Sequence, residues 1–360
     1  MSAGVLGGSA LRMPASKLQG RPLVSVVIPC YNYKRFLAEA VGSVLAQDEV
    51  ELDVVIVDDA STDGSGTLAV ELASADPRIR TVLHPENRGH IATYNDGLAQ
   101  VLGEYVVLLS ADDLLAPGSL GRATALMEKH GDVGLVYGYA EEFSDEAPPS
   151  PSTRSTWSVW SGEQWLGHLC RRGANIIVNP EAVVRRSVMD ALVGYRSDMP
   201  HAADMELWMR AASLGSVGRI NGPVQAFYRV HGHNMHLTDF SSTLDDIRAR
   251  RDVFDALASL PGPTLSRPRQ LARAARRAIA VEAVRAAVLL ADTRQDGPSR
   301  AAELAHFALE TDASVTRSAT WKAYLRRRDG RSFPGERAIS SIADRWRWSL
   351  RWRRWRRTGI

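Results

Sequence analysis

Three stretches of the chain are apolar almost without interruption: Leu23–Pro29 (LVSVVIP), Leu52–Val57 within LDVVIVDD, and Tyr105–Leu109 within EYVVLLS. Between them the pattern changes period. Arg35–Gln47 places Phe36, Ala40, Val44 and Leu45 at helical spacing, and TLAVELAS, HIATYNDGLAQVL and GSLGRATALMEKH repeat that character. IRTVLH and VGLVYGYAEEF return to strand-like runs. Apolar strands alternating with amphipathic helices predict an α/β fold with a largely parallel sheet, covered by helices on both faces.

After about residue 144 the pattern breaks into a polar, Pro- and Ser-rich connector, SDEAPPSPSTRSTWS. Residues 160 to about 235 mix helix and strand, and 240 to 330 read as helical, broken at PGP and QDGPS. The expected organisation is a loose leader over 1–21, a catalytic α/β unit over 22–237, a helical extension over 238–335 and a basic tail over 336–360.

The polar residues are not scattered. The first strand runs into PCYN, the second into DDASTDGS, and the third into SADD. In parallel α/β sheets, ligands bind outside the carboxyl ends of the strands, so three polar clusters fall on one rim. Part of DDASTDGS has a purely local explanation, because Asp59, Ser61 or Asp63 can cap the helix that follows and Gly64 suits a turn. Asp112 or Asp113 can likewise cap a turn before Pro117. Two adjacent carboxylates repel each other unless a cation lies nearby. Magnesium or manganese, held by one or two carboxylates together with phosphate oxygens, fits such a pair. The doublet therefore points to a metal bridging to a diphosphate.

Length and composition narrow the class. A chain of 360 residues with 45% hydrophobic content can bury one large or two ordinary cores. Two cysteines, Cys30 and Cys170, supply neither a disulfide framework nor a zinc pattern, which suggests a reducing, cytoplasmic setting. Cys30 reads as a buried filler. The first residues lack the basic start and apolar core of a secretory signal, and no apolar run is long enough to span a bilayer.

The net charge of +3 is concentrated in RWRWSLRWRRWRR near the C-terminus. There Trp348, Trp352 and Trp355 share one helical face with arginines around the rest, a composition suited to an anionic membrane interface. A helix packed on the catalytic unit, or a disordered basic tail, is the plainer alternative. Because the basic patch is confined to the tail, nucleic acid is not an expected partner.

Taken in order, VSVVIPCYN, VDDASTDGS, ENRGHIATYNDGL, LLSADD and AADMELWMR resemble the successive motifs of the family-2 glycosyltransferases of the GT-A fold, over roughly residues 22–235. FYRVHGHNMH resembles the family's Tyr-Arg-x-His ending. The resemblance implies an inverting transferase using a nucleotide-sugar donor, with magnesium or manganese; the tail would suit a lipid-linked saccharide acceptor on the inner face of a membrane, with soluble acceptors also open. The resemblance places Pro29, Tyr31 and Asn32 at the base pocket and Asp59 on the nucleobase. Asp112 and Asp113 match the acids that touch ribose and hold the metal, Asp113 being favoured for the metal and Asp112 for ribose. His231 matches a histidine near the diphosphate and metal, and Asp204 the catalytic base, with Glu206 behind it as an acceptor contact. His233 and His236 have no matching role and read as solvent-exposed.

The chain departs from the family at two points. Ser110 stands where Asp is frequent, and Thr93-Tyr94-Asn95 stands where Ala-Arg-Asn is frequent, leaving Arg88 as the substitute diphosphate contact. A nicotinamide-dependent oxidoreductase or a nucleotidyltransferase would need a glycine-rich turn after the first strand, and PCYNYKR has none. The remaining rival is a non-catalytic sugar-nucleotide-binding or scaffold protein, against which the joint presence of Asp59, Asp112, Asp113 and Asp204 argues.

Overall fold

The computed structural model describes residues 8–149, 154–177, 179–232, 243–260, 262–263, 265–291, 293, 296–333 and 335–360. His233 and His236 lie outside the described residues.

Its frame is a nine-stranded sheet. In chain order the strands are β1 (Leu11–Pro14), β2 (Leu23–Cys30), β3 (Glu51–Asp58), β4 (Ile79–Leu83), β5 (Tyr105–Leu108), β7 (Val133–Tyr137), β9 (Thr156–Trp160), β10 (Val183–Arg185) and β11 (Ser216–Asn221). Across the sheet they run β1-β9-β11-β7-β10-β5-β2-β3-β4. A small second sheet joins β6 (Leu114–Leu115), β12 (Ala226–Arg229) and β8 (Ala140–Phe143) in the order β6-β12-β8.

The block β5-β2-β3-β4 is parallel throughout. Its order reverses between β2 and β5, the topological switch point where a crevice opens at the strand ends. Beyond β5, β10 enters antiparallel, and the far edge is mixed. The α/β fold read from the sequence stands, with the parallel character concentrated in the first half. VGLVYGYAEEF is two strands rather than one, because the chain leaves the large sheet after Tyr137 and enters the small one at Ala140. Leu11–Pro14, expected to be loose, pairs as an edge strand with β9.

Alternation along the buried strands feeds two cores. Val24, Val26 and Ile28 of β2 and Tyr105 and Val107 of β5 face one side of the sheet, where they meet Leu37, Val41 and Val44 of α1 (Lys34–Leu45). Val27, Val106 and Leu108 face the other, against Ile91 and Tyr94 of α3 (His90–Leu98). α2 (Ser65–Ala75) lies between β3 and β4 in sequence. α3 approaches the sheet closely at Gly97, where an added Cβ would lie 2.3 Å from Val27. α4 (Ser119–Lys129), α5 (Gly162–Arg172), α6 (Arg186–Leu192) and α7 (Ala203–Leu214) complete the layers. α5 opens with a reciprocal capping box between Ser161 and Gln164.

The helices at Pro268–Leu290, Gly297–Thr311 and Ala319–Arg328 continue the second core. Leu271, Ala275, Ile279, Ala283 and Val284 belong to the same apolar cluster as Trp165, Leu166 and Leu169 of α5.

The last helix, Glu336–Thr358, is anchored at both ends. Arg327 bonds the Glu336 carbonyl and the Ser340 hydroxyl at its start. At its end Trp355 is 1% exposed and donates its indole N–H to the Ile176 carbonyl at 2.8 Å. Tyr137 bonds the Gly359 carbonyl, and an added Cβ at Gly359 would lie 2.1 Å from Arg219. This corrects the expected face. Trp352 stacks on Trp355 toward the protein, Trp348 is exposed, and a different stripe, Ile339, Ile342, Trp346 and Leu350, faces solvent.

Candidate active site

The rim begins where β2 and β3 end. Asn32 adopts a left-handed backbone, φ +59, and its side-chain oxygen accepts from the Thr62 N–H at 2.8 Å. Its own N–H donates to Ser61, and Asp63 accepts from the N–H groups of Lys34 and Ser65. Of the three capping candidates, Asp63 is the one that bonds the start of α2. These bonds knit PCYN to DDASTDGS and leave Tyr31 half-exposed, with its ring available to a flat ligand. Pro29 closes β2 beside them.

Asp59 is buried and already engaged. Its Oδ1 meets His84 Nδ1 at 2.7 Å and the Arg88 N–H at 2.8 Å, and its Oδ2 accepts from the Gly89 N–H at 2.9 Å. Burial pushes its pKa up, but these bonds outweigh it and hold the carboxyl below the ordinary range. Asp59 thus organises the loop leading into α3. A nucleobase would have to use the second lone pair of Oδ2.

Asp112 and Asp113 follow β5, and the small sheet brings β12 across to them. The Arg229 N–H donates to Asp113 Oδ1 at 2.8 Å, and Arg229 Nε to the Asp112 carbonyl at 2.8 Å. The Arg229 guanidinium is buried between the rings of Phe36 and Phe143, 4.6 and 4.3 Å from their centroids, and pairs with Glu39. His231 Nε2 lies 3.0 Å from Asp112 Oδ2, its ring packed near Tyr33 and Phe36. Asp113 is 1% exposed. Burial, then the Asp112 charge, drives its pKa well above the carboxylate range, against the pull of Arg229.

Asp204 stands in the first turn of α7. Tyr195 donates its hydroxyl to Asp204 Oδ1 at 2.6 Å. Burial raises the Asp204 pKa, while Tyr195 and the charge of His90 pull it back. Tyr94 of α3 is near enough to both Asp204 and the doublet to feel their charges. It is buried, hydrogen-bonded by Ser110, and subject to the charges of Asp204, Asp113 and Asp112, which with burial raise its own pKa.

A Glycosyl transferase family 2 model matches residues 25–192. The EpsE protein of Bacillus subtilis, provisionally named a glycosyltransferase, is 36% identical over 204 residues, spanning 55% of this chain and 69% of EpsE. The chain belongs to the family-2 glycosyltransferases.

A Haemophilus influenzae glycosyltransferase that is otherwise uncharacterised is 26% identical over 220 residues, 60% of this chain and 68% of its own. Among solved structures, residues 1–349 of Staphylococcus aureus TarS with UDP-GlcNAc superpose with a TM-score of 0.62 at 16% identity, covering 89% of this chain and 91% of that one. The mannosyltransferase PcManGT from Pyrobaculum calidifontis, with GDP-Man and Mn2+, gives 0.51 at 22% identity, covering 88% and 90%. Both are likenesses of fold.

Within this glycosyltransferase the sequence-read residues divide. Asp112, Asp113 and His231 meet, and Tyr31, Asn32 and Asp59 line the same rim. Arg88 does not turn toward the doublet: its guanidinium pairs with Asp96, whose carboxylate also lies 3.0 Å from His84 Nε2. Glu206, expected behind Asp204, is buried with both oxygens on Arg210, at 2.7–2.9 Å, and is occupied as an internal ion pair.

Among the described residues no three acidic, histidine or cysteine side chains form a ready metal cage. Asp112 and Asp113 nevertheless suit a hard cation, since their mutual repulsion and burial are what a positive charge would relieve, and phosphate oxygens can supply the other ligands. Sequence reading missed Tyr195, Tyr94 and Arg229. The sequence marks Tyr94 only as a departure from the family's arginine and Arg229 only as part of the Tyr-Arg-x-His ending, while Tyr195 carries no signal.

Proposed function

We propose that this glycosyltransferase moves a sugar from a nucleoside-diphosphate donor to an acceptor hydroxyl with inversion at the anomeric carbon. The observation that supports the reading is an acidic doublet at a strand end, with His231 3.0 Å from Asp112, together with a separate Asp204 held by the Tyr195 hydroxyl at 2.6 Å. Tyr31 stacks the base, with Pro29 and Asn32 beside it. Asp59 holds the pocket loop, Asp112 would meet ribose, and Asp113, with Asp112 and His231, would hold magnesium or manganese. When bound there, the cation would neutralise the diphosphate as its charge grows.

The acceptor oxygen attacks the anomeric carbon as its proton passes to Asp204, and the carbon–oxygen bond to the diphosphate breaks with the electron pair leaving on the nucleotide. A positioned base of this kind is worth about 10²–10⁴-fold. Asp204's raised pKa places the acid limb of activity above the ordinary Asp range, so the rate falls as pH drops through it.

Relatives support an envelope saccharide as the acceptor class. A Bacillus subtilis protein provisionally assigned to teichuronic acid biosynthesis, TuaG, is 33% identical over 128 residues, 36% of this chain and 51% of TuaG. TarS and PcManGT bind UDP-GlcNAc and GDP-Man respectively, which supports a hexosyl donor. No described helix is long and apolar enough to cross a membrane. We place the protein on the cytoplasmic face, resting on anionic lipid through Ile339, Ile342, Trp346 and Leu350 and the exposed arginines Arg345, Arg347 and Arg353 around them.

A thermal-shift screen of UDP-, dTDP- and GDP-sugars, with and without manganese, tests the donor reading. Saturation at 100 times the dissociation constant should stabilise the fold by about 2.7 kcal/mol. No shift with any of them rejects a nucleotide-sugar site.

A further inference from the structure

The two oxygens of Asp204 are not equivalent. Oδ1 accepts the Tyr195 hydroxyl at 2.6 Å, whereas Oδ2 has no hydrogen-bond partner among the described residues. Tyr195 is itself fixed by α3. Asn95 Nδ2 donates to the Tyr195 carbonyl at 3.0 Å, and the Tyr195 N–H donates to Asn95 Oδ1 at 2.7 Å, so one amide side chain grips both backbone groups. The Tyr195 ring also packs on Tyr94, 5.1 Å between centroids. A chain of contacts therefore runs from α3, which flanks the donor rim, to the first turn of α7.

We propose that Tyr195, gripped by Asn95, is the positioning residue of the transfer reaction: it locks Asp204 Oδ1 and leaves Oδ2 as the oxygen that takes the acceptor's proton. This rests on the reading of Asp204 as the base. A carboxylate free to rotate would present either oxygen, and near-attack geometry would be lost for part of the time. The hydroxyl also favours the ionised form, since a donor to a carboxylate opposes the effect of burial. The other groups facing this part of the site are His90 and Tyr94 from α3, and Arg210, whose charge acts on Tyr195. The Tyr94 ring stands where the family frequently has arginine. Here it packs on Tyr195 and supports it.

The test pairs Tyr195→Phe with Asp204→Asn in the full chain. Tyr195→Phe removes one oxygen from a buried ring and keeps its shape, and a melting curve shows whether the fold is retained. The expected result is a kcat about 10-fold lower, an unchanged donor KM, and an acid limb of kcat displaced to higher pH, because the bond that favoured the carboxylate is gone. Asn95→Ala should move the same quantities in the same direction by less. Asp204→Asn should lose at least 10-fold more rate than Tyr195→Phe. If Asp204→Asn is inactive while Tyr195→Phe keeps the wild-type kcat and pH profile, the positioning role is wrong and the base reading survives. If Asp204→Asn turns over normally, both fall together.

Discussion

Two stretches concentrate one sign of charge, Asp112–Asp113 and the arginine-rich segment 345–357, and the fold treats them in opposite ways. The doublet is buried, enclosed by a second sheet and an arginine sandwiched between two phenylalanines. The arginines lie mostly in water on a helix held near its start by Arg327 and, from Arg351 onward, by Arg172, Ile176 and Arg219. Like charges in water cost little, because solvent and salt screen them. At Asp113 burial, and then the Asp112 charge, raise the pKa, a cost that a bound cation would offset. On the proposed reading the doublet serves one bound group, and the helix a kind of surface.

The sharpest break of that contrast is Asp113→Asn. It should reduce turnover by about 10³-fold and abolish the metal-dependent part of diphosphate binding, measured by titration calorimetry with and without manganese. Metal-independent full activity would remove the distinction between the two regions. Next in size, Asp204→Asn should lower kcat by about 10²-fold or more while donor affinity stays constant, since only the transition state uses the base. Paired tryptophan substitutions then sharpen the contrast within the helix. Trp355→Ala should cost about 3–5 kcal/mol in denaturant unfolding, the usual loss for a buried large aromatic. Trp346→Ala, 64% exposed, should change stability by less than about 0.5 kcal/mol yet weaken binding to anionic vesicles. The smallest effect is salt: vesicle binding should weaken gradually as screening shortens toward about 10 Å at 0.1 M. Salt-independent binding would contradict a surface held by arginines.

The same contrast explains what the sequence disclosed. The doublet's address was legible because it follows an unbroken apolar strand, and strand ends on one rim of a parallel sheet are where ligands bind. The helix was legible as a helix, and the shared face of Trp348, Trp352 and Trp355 was sound as periodicity. Periodicity says which residues share a face, however, and not which face meets the protein. That depended on Ile176, Tyr137 and Arg219, each more than 130 residues away from Trp355. Glu206 failed for a related reason, since its partner Arg210 one turn later consumes it. Tyr195 was invisible because its role rests on Asn95, 100 residues earlier, and on a hydroxyl bond that no local pattern announces.

The central claim is transfer from a nucleotide sugar at the rim of β2, β3 and β5. Its most direct measurement is release of nucleoside diphosphate from UDP-, dTDP- and GDP-sugars by the full chain, in manganese and in excess chelator, beside Asp204→Asn. The account predicts release from at least one donor in manganese, lost in chelator and reduced about 10²-fold or more in the variant. Release that continues unchanged in chelator and in Asp204→Asn, or binding of a nucleotide sugar with no release under any condition, would contradict it.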